Sequence, residues 1–228
     1  MPAMKSLHRK ALINILLTFV ILAAAVFVPA GTLRYWQGWL CLAAFFVPAS
    51  AITVWVAKHD PALLERRLKA GPKAEKEIGQ KIVQTIASVV FLADFVVPAL
   101  DHRFGWSSVP AWAAVMGALM MLVGFAITVA VFKANSFTSA IIEVAENQKV
   151  ISTGPYAVVR HPFYSGALIM LFGIPLALGS WWGMLVNLPL LAAIIWRLLD
   201  EERFLVEKLG GYAEYRESVR YRLAPFVW

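Results

Sequence analysis

Apolar residues come along this chain in runs of about twenty, separated by short polar connections in which most of the charged side chains are concentrated. A helix of about 20 apolar residues covers the roughly 30 Å of hydrocarbon in a bilayer at about 1.5 Å per residue, so such runs read as membrane-crossing helices. The first is Ala11 to Val28, free of ionisable side chains and preceded by Lys5, Arg9 and Lys10. It is longer than the apolar region of about 7–15 residues expected of a signal peptide, and further spans follow, which predicts a retained helix. The second runs from Tyr35 to Ala57, with Trp36, Trp39 and Trp55 near its ends, where amphipathic rings favour the interface. The third, Ile82 to Leu100, carries Asp94, and the fourth, Val109 to Phe132, is uncharged.

From Pro162 to Trp196 there is again no charge, but the stretch is too long for one crossing and is broken at Gly179-Ser-Trp-Trp182. Two helices in a hairpin fit it better. The second of them is expected to leave the hydrocarbon near Trp196 and continue into water to Leu209, where Gly210 and Gly211 supply a stop. The pattern therefore predicts an all-α, polytopic transmembrane bundle of about six crossings, with a cytoplasmic connector and a C-terminal helical tail. We read residues 1–228 as one membrane domain, with a four-helix part at 1–133 and a part carrying the chemistry at 134–228.

Lysine and arginine set the orientation. Lys5, Arg9, Lys10, the loop from Lys58 to Lys81 that includes Arg66, Arg67 and Lys76, the connector with Lys133, Lys149 and Arg160, and the tail from Arg197 to Arg222 all fall on one side of six spans; only Arg34 and Arg103 fall on the other. Positive charge marks the cytoplasmic face, which places both termini in the cytoplasm. Composition adds to this picture: 60% hydrophobic residues and a mean hydropathy of +0.69 exceed what soluble domains carry, roughly 45–50% apolar. The net charge of +7 sits in short loops between spans, not on one soluble face, so no nucleic-acid partner is expected. The single cysteine, Cys41, leaves no disulfide within the chain, and His8, His59 and His102 lack metal-ligand spacing, so no metal is expected.

Polar groups sufficient for a site occur only on the cytoplasmic side, in the connector from Asn135 to Arg160 and in the tail. Gly154-Pro155 is a turn signal, and Pro162 after His161 opens a helix, since proline at the first helical position gives up no needed N–H. Arg160, His161 and unpaired backbone N–H groups would then receive an anionic or polar ligand. On composition alone the plainer reading is stronger: a helix start with a topology-setting arginine and interfacial Tyr156 and Tyr164. Arg197 and Glu201 are spaced i, i+4 on one helical face, which an exposed helix with ordinary ion pairs explains as well. Placement tilts the balance, because both clusters should meet at one cytoplasmic mouth. Asp94 lies toward the far side and reads as a packing or interhelical hydrogen-bond group. No Gly-x-Gly-x-x-Gly, P-loop or His-Glu-x-x-His pattern occurs.

At these clusters the sequence resembles the isoprenylcysteine carboxyl methyltransferase family, which has many bacterial members. The resemblance lies in Gly154-Pro-Tyr-Ala-Val-Val-Arg160-His161-Pro162-Phe-Tyr164-Ser-Gly166, in Arg197 through Glu201-Glu202, in Gly210-Gly-Tyr212-Ala-Glu-Tyr215 and in Arg222-Leu-Ala-Pro225, over roughly the last 80 residues. It implies an integral-membrane enzyme, in a bacterial inner or plasma membrane, that uses S-adenosylmethionine to methylate a lipophilic, isoprenylcysteine-like carboxylate. The resembling segment implies cofactor contacts from Gly154, Pro155, Tyr156, Arg160, His161, Pro162, Tyr164 and Glu202. It implies that Arg197 faces the acceptor and that Glu201 serves either role. Partners would be membrane lipids and a lipophilic or prenylated acceptor. Three alternatives stay open: an NADPH-dependent sterol or polyisoprenoid reductase, a phospholipid amine N-methyltransferase, and a lipid-binding protein without catalysis. Whether the loop from 58 to 81 covers the site is also open.

Overall fold

The computed structural model describes residues 2–75 and 77–228, with side chains from Ser6 onward. The topology signals read at Lys5 and Lys76 therefore lie outside the described side chains. Among the described residues the chain is helical throughout, without strands: α1 (Pro2–Ala30), α2 (Trp36–His59), α3 (Pro61–Leu68), α4 (Ile78–Phe104), α5 (Ala111–Ala134), a 3₁₀ turn at Gly154–Ala157, α6 (Pro162–Ala177), α7 (Trp182–Lys208) and α8 (Tyr212–Ser218).

Five of these helices, α1, α2, α4, α5 and α7, are long and apolar enough to cross a membrane, and together with the expected hairpin they make an integral membrane bundle. The sixth expected crossing, α6, has only 16 residues. At about 1.5 Å per residue it reaches about 24 Å, short of a full hydrocarbon core. Its start is fixed by Pro162 and by the C-terminal tail. The N–H groups of Arg160 and His161 donate to the carbonyls of Tyr221 and Arg222 at 2.9 and 3.0 Å, so no further turn can be added. This corrects the expectation of unpaired N–H groups at that helix entrance: the tail has taken two of them.

Two short elements were not legible as helices in the basic loop and tail. In α3, Pro61 occupies the first turn and the Asp60 carboxylate accepts from Leu63 N at 2.9 Å, a cap of the standard kind. Its Leu63 and Leu64 are buried against Val56, Val131 and Phe132. In α8, Tyr212 and Tyr215 pack on Leu209 and Val219.

Small residues bring α5 and α6 into backbone contact. A Cβ added at Gly117 would lie 2.6 Å from the carbonyl oxygen of Gly173, and one at Gly124 would lie 2.5 Å from that of Gly166. The two pairs are one heptad apart on each of two antiparallel helices, so the approach is continuous over two turns. In a bilayer, where lipid tails are as apolar as leucine, this close packing is what associates helices. Larger side chains fill the centre: Val26, Phe95, Met121, Ile174 and Leu178 are fully buried.

The ends of the bundle are defined by contacts between connections. At one end His8 approaches the carbonyl of Ala57, Arg66 and Arg67 bond the carbonyls of Ser136 and Ser139, and Gln80 bonds Asp200. This is the basic end. At the other, Tyr35 donates to the carbonyl of Leu178 and stacks on His102 with ring centroids 3.9 Å apart. Asp101 there accepts from Ser107 N and Oγ, both at 2.6 Å, and from Ser180 Oγ. The turn read at Gly179-Ser180 thus closes the α6–α7 hairpin as expected and is tied to the α4–α5 connection.

Candidate functional site

A cavity of about 470 Å³ opens at the basic end between α4, α6 and α7, roofed by the connector after α5. That volume suits a small-molecule ligand. Its lower wall is apolar, with Ala87, Phe91, Met170, Leu171, Leu190 and Ile194; its upper wall is polar, with Arg67, Asn135, Tyr156, His161, Arg197 and Glu201. Both walls combine residues of the front half of the chain, Arg67, Ala87 and Phe91, with residues of the back half.

The polar wall begins with α7. Arg197 and Glu201 share a face, as their spacing requires, but they do not pair directly. The Tyr164 hydroxyl stands between them: it donates to Glu201 Oε2 at 2.6 Å and accepts from Arg197 Nε at 3.0 Å. Arg197 pairs instead with Glu75, Nη1 to Oε1 at 2.7 Å. It also donates from Nη1 to Gln80 Oε1 and from Nη2 to the carbonyl of Ala140, both at 3.0 Å. Past Trp196, α7 continues to Lys208 as expected, with Arg203, Glu207 and Lys208 exposed, but Arg197 and Glu202 on its inner face are buried rather than solvated. The guanidinium that was expected to meet an acceptor carboxylate is held by a carboxylate of its own chain.

Glu202 is one residue further along, about 100° around the helix, and points away from the cavity toward the C-terminal tail. Its Oε1 takes Arg160 Nε at 2.6 Å and lies 3.2 Å from His161 Nε2, while Oε2 takes Arg222 Nε at 3.0 Å. Arg160 spends its Nη1 on the carbonyls of Val219 and Arg220. The group is a buried clamp that staples the tail to the entrance of α6.

Of the residues read from sequence, Tyr156, Arg160, His161, Pro162, Tyr164, Arg197 and Glu201 line the cavity, whereas Gly154, Pro155 and Glu202 do not. Gly154 adopts a left-handed φ of +60° at the start of the 3₁₀ turn, and that turn presents Tyr156. The Tyr156 hydroxyl accepts from Asn135 Nδ2 at 3.1 Å and its carbonyl accepts from the Tyr215 hydroxyl at 2.7 Å. Burial pushes the phenols of Tyr156, Tyr212 and Tyr215 above their ordinary value, so all three are neutral near pH 7.

Sequence reasoning missed Arg67, Glu75, Gln80 and Gln84. Arg67 lies with its guanidinium 4.5 Å from the Phe163 ring and 5.6 Å from that of Phe132, and Nη1 donates to Ser139 O at 2.8 Å. Burial lowers its pKa to about 10, which leaves it charged at neutral pH. Gln84 donates to Glu75 Oε1 at 3.3 Å and to the carbonyl of Ala140 at 3.2 Å. A signal existed: Gln80 and Gln84 form an i, i+4 polar pair at the head of an apolar span. The loop from 58 to 81 therefore does reach the site, through Arg67, Ala70 and Glu75.

Asp94 is fully buried, and neither carboxylate oxygen is hydrogen-bonded among the described residues. It packs in the interior, as the reading of a packing or interhelical hydrogen-bond group expects. The amide of Asn187, the polar neighbour on α7, donates instead to the carbonyl of Leu171 at 3.1 Å.

Comparison with known proteins adds names to this geometry. The phospholipid methyltransferase family matches residues 112–211, from the start of α5 to the glycines before α8. Protein-S-isoprenylcysteine O-methyltransferase B of Arabidopsis thaliana is 28% identical over 155 residues, 64% of this chain and 70% of that protein. Protein-S-isoprenylcysteine O-methyltransferase A of the same organism is 34% identical over 125 residues, 51% of this chain and 61% of that protein. Among solved structures, the eukaryotic intramembrane Ras methyltransferase, isoprenylcysteine carboxyl methyltransferase, superposes with a TM-score of 0.47 at 16% identity, covering 95% of this chain and 86% of that one.

Proposed function

From its similarity to the phospholipid methyltransferase family and to isoprenylcysteine O-methyltransferases, we propose that this chain is an integral-membrane methyltransferase of the isoprenylcysteine carboxyl methyltransferase family and that it transfers a methyl group from S-adenosylmethionine to the carboxylate of a lipophilic, isoprenylcysteine-like acceptor. The observation that carries this reading is the two-sided cavity: an apolar wall from α4, α6 and α7 leads directly to a polar wall with uncommitted charge. A lipid tail and a charged head fit those walls in that order.

The residues present suit a cationic donor. Glu201 Oε2 accepts one bond from Tyr164, and Oε1 has no hydrogen-bonding partner among the described residues while the side chain faces the cavity. A carboxylate so placed holds positive charge through charge-assisted contact. S-adenosylmethionine would supply an already activated methyl group. What the chain must provide is alignment, exclusion of water and matched charge. Tyr164 fixes Glu201, the connector roofs the cavity, and Tyr156 and His161 border the polar end. Gly154, Pro155 and Glu202 act one step back in this reading, by presenting Tyr156 and holding the tail. The basic end faces the cytoplasm, where the donor is available, and both termini lie on that side.

A second reading, N-methylation of a phospholipid amine, is favoured by the family matched at 112–211. It needs a base for the amine proton, and Glu201 is the residue in place. One assay separates the two. Purified protein in detergent is incubated with methyl-labelled S-adenosylmethionine and either N-acetyl-S-farnesylcysteine or phosphatidylethanolamine, and the lipid product is treated with alkali. Label released as methanol marks an ester, as proposed; label that survives alkali marks an amine. If calorimetry detects NADPH binding and no S-adenosylhomocysteine binding, the methyltransferase assignment fails.

A further inference from the structure

Resting on the carboxylate-binding part of the reading above, we infer that Arg67 is the carboxylate-recognising residue of the cavity, the part that the sequence pattern suggests for Arg197. A guanidinium has five N–H groups, and bidentate recognition of a carboxylate uses two adjacent ones. Arg197 gives Nε to Tyr164, Nη1 to Glu75 and Gln80, and Nη2 to Ala140. Its edges are occupied, and its charge is neutralised by Glu75. Arg160 gives Nε to Glu202, which neutralises its charge, and Nη1 to two tail carbonyls. Arg67 gives a single bond, from Nη1 to Ser139.

No carboxylate lies within ion-pair distance of Arg67 among the described residues. Its remaining nitrogens are not among the sealed, partnerless atoms of the interior, and it lines the cavity. They are therefore reachable from the ligand space. A partly buried cation without a direct ion pair is incompletely compensated, and an incoming carboxylate supplies the missing partner. The side chain is also held ready. The capped helix α3 is pinned by buried Leu63 and Leu64. Phe163 and Phe132 lie against the guanidinium, which fixes its plane and leaves its edge for a planar anion. Glu201, an anion that accepts one bond, belongs to the same cavity wall, so Arg67 and Glu201 place charge of each sign with bonding capacity to spare beside the ligand space; Glu143, which accepts from Ser139 Oγ, and the exposed Lys149 lie at its connector side.

Two molecules in the proposed reaction carry a carboxylate: the acceptor and the amino-acid end of the donor. Full-length protein in detergent, wild type, Arg67→Gln and Arg67→Lys, is titrated with S-adenosylhomocysteine and with its carboxamide analogue. The same preparations are assayed for methyl transfer to N-acetyl-S-farnesylcysteine. If the acceptor is the source, Arg67→Gln raises the acceptor KM roughly tenfold or more, as loss of a charge-assisted bond predicts. S-adenosylhomocysteine affinity then stays within about twofold, and Arg67→Lys falls between because it keeps charge without the fork. If the donor is the source, Arg67→Gln weakens S-adenosylhomocysteine by about the same factor, and the wild-type preference over the carboxamide disappears. Either result supports the inference.

Unchanged KM and unchanged affinity in both variants overturn it and leave the methyltransferase reading intact. A wild type that binds S-adenosylhomocysteine but does not methylate the farnesyl probe removes the carboxylate acceptor, and Arg67 then stands or falls on the two titrations. A wild type that does not bind S-adenosylhomocysteine removes both. Should Arg67→Gln fail to give monodisperse protein, Arg67→Lys carries the comparison alone.

Discussion

At the far end of the bundle Asp101 uses both carboxylate oxygens, taking Ser107 N, Ser107 Oγ and Ser180 Oγ, and Ser180 Oγ in turn accepts Gly183 N at 2.9 Å. At the basic end Glu201 receives one bond and Arg67 gives one. Both regions place ionisable groups among helices, where they are costly unless satisfied. In the first, every partner comes from the chain itself and the result is a knot joining two turns. In the second, the chain supplies fewer partners than the charges can use, beside a cavity. The contrast separates structural polarity from functional polarity more sharply than residue type does, since an acid sits at the centre of each. It also divides neighbours: Glu202 resembles Asp101 in being saturated, while Glu201, one residue away, does not.

The largest way to disturb this contrast is to open the saturated clamp. Glu202→Gln leaves Arg160 and Arg222 buried with reduced compensation, and the expected loss is about 3–5 kcal/mol of stability. Thermal unfolding in detergent should register it as a marked fall in Tm; an unchanged Tm with lost donor affinity would move Glu202 from the clamp to the cavity. Gly124→Val should destabilise next, by about 1–3 kcal/mol, because the new side chain meets the backbone of α6 at Gly166. The same melting curves check it, and cavity function should suffer only as far as α6 shifts.

Asp101→Ala tests the other side of the comparison. It strands the hydroxyls of Ser107 and Ser180 and should cost about 1–3 kcal/mol while S-adenosylhomocysteine affinity, read by calorimetry, stays put. Glu201→Gln should do the reverse, weakening that affinity or that of the methylated donor roughly tenfold, about 1.4 kcal/mol, with little change in Tm. If the two variants trade places, the distinction between knot and site collapses. The smallest effect belongs to Tyr156→Phe, which removes the acceptor for Asn135 Nδ2 and should lower stability by about 0.5–1.5 kcal/mol, visible as a small shift of the denaturation midpoint.

Much of the fold was legible because membrane helices obey local rules. Runs of apolar residues placed α2, α4 and α5 within a few residues and the end of α1, whose start lies well before the expected Ala11; Pro162 marked the start of α6, Gly179 marked the hairpin turn, and Gly210-Gly211 the end of α7. The short α3 was equally local in its Asp60-Pro61 start, but basic charge drew attention to topology instead. The site was legible in part. The segment from Tyr156 to Tyr164 and the Arg197–Glu201 face do meet at one cavity, as their shared end of the bundle implied. The assignment of partners was not legible, since Glu75 and Arg197 are 122 residues apart and Arg67 and Ser139 are 72 apart.

What the sequence determined by itself is the solvent of the chain, the number and ends of its apolar segments, and which end collects positive charge, because transfer into hydrocarbon and helix capping depend on a residue and its near neighbours. Only the tertiary structure decided which of the buried charges are neutralised and which remain available. That question turns on hydrogen-bond geometry between groups brought together from distant parts of the chain, and a guanidinium has the same appearance in sequence whether its N–H groups are spent or free.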